Sequence, residues 1–118
     1  MQTKAEIFAQ MARDQPDNEM IWYGLGSEYV KEERWSEAAD ALRRVIALNP
    51  NYTAAYQMLG TALENSGEPD RAREVWTEGV AVATRAGAWK ARQHLESLLA
   101  EKAGETPQSG LCSTSDDS

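Results

Sequence analysis

Trp22-x-x-Leu25-Gly26-x-x-Tyr29 returns 34 residues later as Tyr56-x-x-Leu59-Gly60-x-x-Leu63, and the register carries on through Ala38 on Ala72, Leu42 on Trp76 and Val45 on Gly79. A chain that repeats itself at this period is built from similar small units. No unit can bury its apolar face alone, so neighbours must stack and share one continuous core. The offset also reaches backward, because Phe8 lies 34 before Leu42 and Pro16 lies 34 before Pro50. The N-terminal segment therefore reads as the second half of an earlier unit, and the chain as about two and a half units plus an ending.

Punctuation divides these units into helices. Thr3-x-x-Glu6 forms a capping box for a helix over 4–14, with Ile7, Phe8 and Met11 expected inward. Pro16 ends it, and Asp17 or Asn18 caps a second helix over 19–32, where Trp22, Leu25, Gly26 and Tyr29 share one stripe. Ser36 is the expected cap of a third helix, 37–48, with Ala38, Ala41, Leu42, Val45 and Leu48 inward. Asn49-Pro50-Asn51 turns into a fourth helix over 53–65, stopped at Gly67, a residue suited to the left-handed position after a helix. Pro69 opens a fifth, 69–85. Gly87 breaks it before a sixth, 88–102, whose Ala91, Leu95, Leu98 and Leu99 face back while Lys90, Arg92, Glu96, Glu101 and Lys102 face water. A last helix with one apolar and one charged face suits a lid on a stack. At each crossing Gly26 and Gly60 are expected to let two backbones approach, with Ala38 and Ala72 filling the matching place by a methyl.

The spacing W-x2-L-G-x2-Y, then Ala, then an apolar residue, then Pro, resembles the tetratricopeptide repeat (TPR). Trp22, Leu25, Gly26, Tyr29, Ala38 and Pro50 fit it directly. The second unit is looser, with Tyr56 for Trp, Leu63 for Tyr, Gly79 for Ala and Thr84 in place of the closing Pro. The resemblance covers about residues 4 to 100 and is to small bacterial members of the family. It implies an all-α, right-handed α-solenoid of antiparallel helix pairs: a helical domain over 1–103 (half unit 3–18, full units 19–52 and 53–86, capping helix 88–103) followed by an acidic, Ser-rich tail over 104–118. That tail has no Lys or Arg and no periodic apolar face, and it is expected to be disordered.

The family resemblance also implies a non-catalytic protein-interaction module whose first helix in each pair lines a concave groove for a partner's peptide or helix. On this chain that face carries Tyr23, Ser27, Val30 and Lys31, then Gln57, Thr61 and Glu64, then Trp89 and Lys90. Tyr23, Val30 and Trp89 are the expected apolar anchors. Tyr23, Ser27, Met58 and Ala86 stand where some TPR domains carry the Lys, Asn and Arg that clamp a terminal carboxylate, and only Lys90 is of the right type, so that clamp is not expected. The alternatives are a structural role by self-association through an open end, and an accessory subunit of a larger complex. A monomer or weak homodimer is expected.

Composition narrows the remaining classes. A net charge of −7 repels nucleic acid and anionic membrane surfaces, so neither is an expected partner. No stretch approaches the roughly 20 apolar residues that span a bilayer, and MQTKAEIFAQ lacks the basic-then-apolar order of a secretory signal, so the cytoplasm is the expected location. One cysteine, Cys112, excludes an internal disulfide, and one histidine, His94, has no partner visible in sequence. No cofactor or metal is expected. Cys112 reads as an inert thiol, and the Ser/Thr cluster at 109–118 as solvated chain with acidic residues that could attract a kinase. Arg43-Arg44 and Arg71-x-Arg73 read as ion-pairing groups on helix faces. No Gly-rich phosphate loop, paired catalytic carboxylates or nucleophile elbow is present.

Overall fold

The computed structural model describes residues 2–104; the tail expected to be disordered, with Cys112 and the Ser/Thr cluster, lies outside the described residues from 105 on. Six helices follow one another: α1 Lys4–Asp14, α2 Glu19–Lys31, α3 Trp35–Leu48, α4 Thr53–Asn65, α5 Pro69–Ala86 and α6 Trp89–Gly104. Among the described residues there is no strand. Each helix packs on the one after it, and α4 also touches α2 and α6. Thus α2, α4 and α6 form one layer, with α1, α3 and α5 on the other side. This is an all-α solenoid of antiparallel pairs.

Local chemistry sets the boundaries. Thr3 Oγ1 accepts from the Glu6 N–H at 3.1 Å while the Glu6 carboxylate accepts from the Thr3 N–H at 2.8 Å, so two of the free amides at the start of α1 are satisfied reciprocally. Asn18 caps α2 through the Met20 N–H at 3.1 Å, and Pro69 occupies the first turn of α5. The third helix departs from expectation. It starts at Trp35, two residues before the expected start, so Ser36 lies inside the helix and caps nothing; Arg34 takes the cap position without a side-chain cap bond. The cause is the preceding turn, where Glu33 adopts a left-handed φ of 59° and the Arg34 N–H returns to the Tyr29 carbonyl at 2.9 Å. One repeat later Gly67 holds that left-handed place, and the Glu68 N–H returns to the Leu63 carbonyl at the same 2.9 Å. The turn geometry is therefore repeated although only one of its two copies carries glycine.

Packing gives the repeat residues their meaning. A Cβ built on Gly26 would lie 2.8 Å from Leu42, and one on Gly60 would lie 2.1 Å from the Trp76 indole nitrogen. The side chain resting on each glycine is thus Leu42 or Trp76; Ala38 and Ala72 are fully buried nearby but do not fill that place. The aromatic residue that opens each unit has a polar task as well. Trp22 Nε1 donates to the Pro16 carbonyl and Tyr56 OH to the Pro50 carbonyl, both at 2.8 Å. Tyrosine replaces tryptophan without losing the donor, and the tip of the ring ties each unit to the turn before it.

Two further corrections concern the ends. In α1 the buried residues are Ala5 and Ala12, with Phe8 packed over Gly24, whereas Ile7 and Met11 are 46% and 37% exposed. Their counterparts one repeat later, Ala41 and Val45, are buried. Among the described residues α1 packs on α2 and on no other helix, which leaves Ile7 and Met11 uncovered. At the other end, α5 continues to Ala86, so α6 aligns with α4 at an offset of 36 and not 34. Leu95 then falls on Leu59 and is fully buried, while Arg92 and Glu96 occupy the places of Tyr56 and Gly60 and pair with each other at 3.1 Å. The outer side of α6 is thus charged where a continuing unit would need an aromatic ring and a bare backbone.

Candidate functional site

The layer α2–α4–α6 brings the sequence-selected residues onto neighbouring helices, but in unequal states. Tyr23 is half-buried with its ring centroid 5.1 Å from that of Tyr52. Burial, and then the neighbouring Tyr52, push its hydroxyl above the ordinary tyrosine range. Val30 is half-buried and packs on the main core. Ser27 donates to the Met58 sulfur at 3.6 Å, which stitches α2 to α4. On α4, the Thr61 hydroxyl donates to the Gln57 carbonyl at 3.2 Å, the Trp76 indole donates to the same carbonyl at 3.1 Å, and Glu64 is half-buried. Lys31 is exposed and pairs with Glu28 at 3.2 Å. Trp89 is 64% exposed, with Lys90 exposed beside it at the start of α6.

The layer therefore has a polar, half-buried middle on α4 and large exposed apolar groups at both sides, Met20 on α2 (70% exposed) and Trp89 on α6. His94 is exposed on α6. No group of three or more His, Cys, Asp or Glu that could hold a metal ion occurs among the described residues. No helix of the described residues is long and apolar enough to cross a membrane.

The opposite side of α2 holds a feature that the sequence pattern concealed. Trp22, Leu25, Tyr29, Glu37, Asp40, Ala41 and Arg44 line a cleft of about 400 Å³. Trp22 and Tyr29, members of the packing stripe, are only half-buried there, whereas their counterparts Tyr56 and Leu63 are fully buried. In the repeat register α1 begins at Lys4, a turn later than α3, and carries Ala12 where α3 has Ile46. Charged groups close over the rings. Arg44 lies 5.6 Å from the Trp22 ring and Arg34 4.6 Å from that of Tyr29. Arg34 also donates to Glu37 at 2.6 and 2.7 Å and to Glu32 at 3.1 Å, which holds the Glu37 carboxyl below the usual range. The other basic pairs are taken up locally, Arg43 by Asp40, Arg71 by Glu68 and Arg73 by Asp70.

Comparison with known proteins agrees with this architecture. Tetratricopeptide repeat models match residues 29–95 and 5–51. A TPR repeat-containing protein of Pseudomonas aeruginosa is 31% identical over 83 residues, covering 70% of this chain and 79% of its own length. Among solved structures, a protein of Bordetella parapertussis is 30% identical with a TM-score of 0.77, covering 89% of this chain and 91% of its own. A tetratricopeptide repeat domain protein of Salinibacter ruber, 22% identical, shares the fold with a TM-score of 0.72 over 83% of this chain and 99% of its own. With its helix pairs, its glycine crossings and these matches in accord, the chain belongs to the tetratricopeptide repeat family.

Proposed function

We propose that this protein is a non-catalytic binding module that holds a peptide or helix of a partner protein across the α2–α4–α6 face, in the cytoplasm. TPR repeats generally mediate protein–protein interaction; the choice of face, the residues and the compartment are our reading. The observation that carries it is Trp89. An indole left 64% exposed on a lid helix adds little to the fold, yet tryptophan is the residue type most enriched at binding hot spots. Lys31 and Lys90 supply charged donors near the two ends, and the Gln57, Thr61 and Glu64 side chains supply polar groups between them. Tyr23, Ser27 and Val30 serve as the packed floor, since their surfaces are largely spent on Tyr52, Met58 and the core.

The cleft beside Trp22 is a weaker site for the same partner, because the Arg34–Glu37 pair and the Arg44 guanidinium already lie over its rings. A displayed random-peptide library selected on the immobilised protein supplies a ligand, and NMR shift mapping then locates it. The Trp89 indole and the amides of Lys31, Gln57 and Thr61 are expected to move. Trp89→Ala with Lys90→Glu is expected to weaken the selected peptide at least tenfold, about 1.4 kcal/mol, with the melt unchanged. Shifts centred on Trp22 and Tyr29, or full affinity in the double variant, overturn the assignment.

A further inference from the structure

The uncovered flank of α1 carries Lys4, Ile7, Met11 and Asp14, at steps of three, four and three residues that keep them on one stripe. One repeat later the same stripe is Ala38, Ala41, Val45 and Leu48, of which the first three are buried and the last is half-buried. In α1 all four residues are exposed and no other described helix lies against them. We propose that this stripe is an isologous contact between two copies of the chain, made by α1 against α1 in antiparallel orientation about a two-fold axis midway between Ile7 and Met11.

The stripe is complementary to itself in that arrangement and in no parallel one. Ile7 meets Met11 of the partner subunit, and Lys4 meets Asp14 of the partner subunit; the axis repeats both contacts. The charges are also placed against their own helix. Lys4 stands in the first turn, at the positive end of the helix dipole, and Asp14 in the last turn, at the negative end. Against an antiparallel neighbour each faces the opposite end and becomes favourable. The residues off the stripe follow the ordinary rule, Glu6 in the first turn and Arg13 in the last. Head-to-tail stacking is disfavoured by the other end of the molecule, because α6 would offer Arg92 and Glu96 to Ile7 and Met11.

The stripe runs only about 15 Å along the helix. It cannot bury the roughly 800 Å² per partner of a standard stable interface, so the dimer is weak and concentration-dependent. The contact does not involve the α2–α4–α6 face, and either reading can fail without the other.

Sedimentation equilibrium from micromolar to millimolar protein tests it. The unaltered chain is expected to pass from monomer to dimer. Ile7→Glu is expected to lower the association constant at least tenfold. Lys4→Asp and Asp14→Lys are each expected to weaken association severalfold, by setting like charges opposite one another twice. The combined Lys4→Asp, Asp14→Lys chain is expected to recover association to within about threefold of the original, because the opposed pair is re-formed with its signs exchanged. Arg13→Glu, on the other flank of α1, is expected to leave it unchanged. All four positions are exposed, so circular dichroism is expected to match in every variant. A chain that stays monomeric throughout overturns the proposal, as does a dimer that is indifferent to Ile7→Glu or is not restored by the exchanged pair.

Discussion

Gly60 and Gly24 show how one residue type carries two different constraints. A methyl on Gly60 would meet the Trp76 ring at 2.1 to 2.5 Å. Trp76 is 1% exposed and its indole nitrogen is bound to the Gln57 carbonyl, so it cannot swing away without breaking that bond and opening the core. A methyl on Gly24 would meet Phe8 at 2.6 Å, but Phe8 is half-buried at the margin and belongs to the terminal helix. Alanine in place of glycine inside a helix recovers about 1 kcal/mol of propensity, whereas overpacking a tight core costs about 1 to 3 kcal/mol. Gly60→Ala is therefore expected to destabilise by about 2 kcal/mol and Gly24→Ala by less than about 1 kcal/mol. Urea denaturation of the two variants measures both, and equal effects would show that Trp76 is no more fixed than Phe8. The spacing alone marks Gly60 as a close approach, but it assigns Gly24 no role, because Gly24 is not the glycine of the W-x2-L-G-x2-Y pattern and meets Phe8, sixteen residues earlier in α1.

At the level of elements, α6 is the clearest case of one helix with two duties. Its inner side supplies Leu95, fully buried and 3.0 Å from the position a Cβ on Gly79 would take. Its outer side places the Arg92–Glu96 pair where a further unit would need apolar contact. Leu95→Ala is expected to cost about 2 to 5 kcal/mol, Glu96→Ala to stay within about 0.5 kcal/mol, and removal of 88–104 to end cooperative melting and produce aggregates. Thermal melts with light scattering check all three; a cooperative melt after removal would show that α5 does not need its cover.

The six helices and their order were legible in the sequence because Thr3, Asn18, Pro69, Gly67 and Gly87 mark their ends by backbone chemistry that is local. The start of α3 was not. Ser36 has the composition of a cap, but the turn is fixed by Glu33 in a left-handed conformation that only the equivalence with Gly67 exposes. The inward face of α1 was misread for a different reason. Ile7 and Met11 sit at positions that are buried elsewhere in the repeat, and periodicity cannot tell whether the neighbour that buries them is present. On the candidate face the spacing sets Tyr23 and Ser27 off the packing stripe, but it does not show their contacts with Tyr52 and Met58. Those are set by the stacking of one unit on the next.

In the whole molecule, stability is expected to follow the number of neighbours each helix has. Among the described residues, helix α4 lies against α2, α3, α5 and α6, while α1 lies against α2 alone. Opening α1 exposes a small interface built on Ala5, Phe8 and Ala12, whereas opening α4 removes Tyr56, Leu59 and Leu63 from the core and leaves α5 without its support. In a stack of this kind the free energy of local opening is a sum of a unit's own term and its nearest-neighbour contacts. The terminal helix therefore opens well before the rest. Native-state hydrogen exchange at low protein concentration, where association through α1 is absent, is expected to give α1 amides protection at least about 2 kcal/mol below that of α4, with α4 and α5 exchanging only by global unfolding. The capping box at Thr3 and Glu6 does not alter this order, because it satisfies amides within the first turn and adds no contact to α2. Protection in α1 equal to that in α4 would mean that the six helices open as a single unit and that the nearest-neighbour account of this solenoid is wrong.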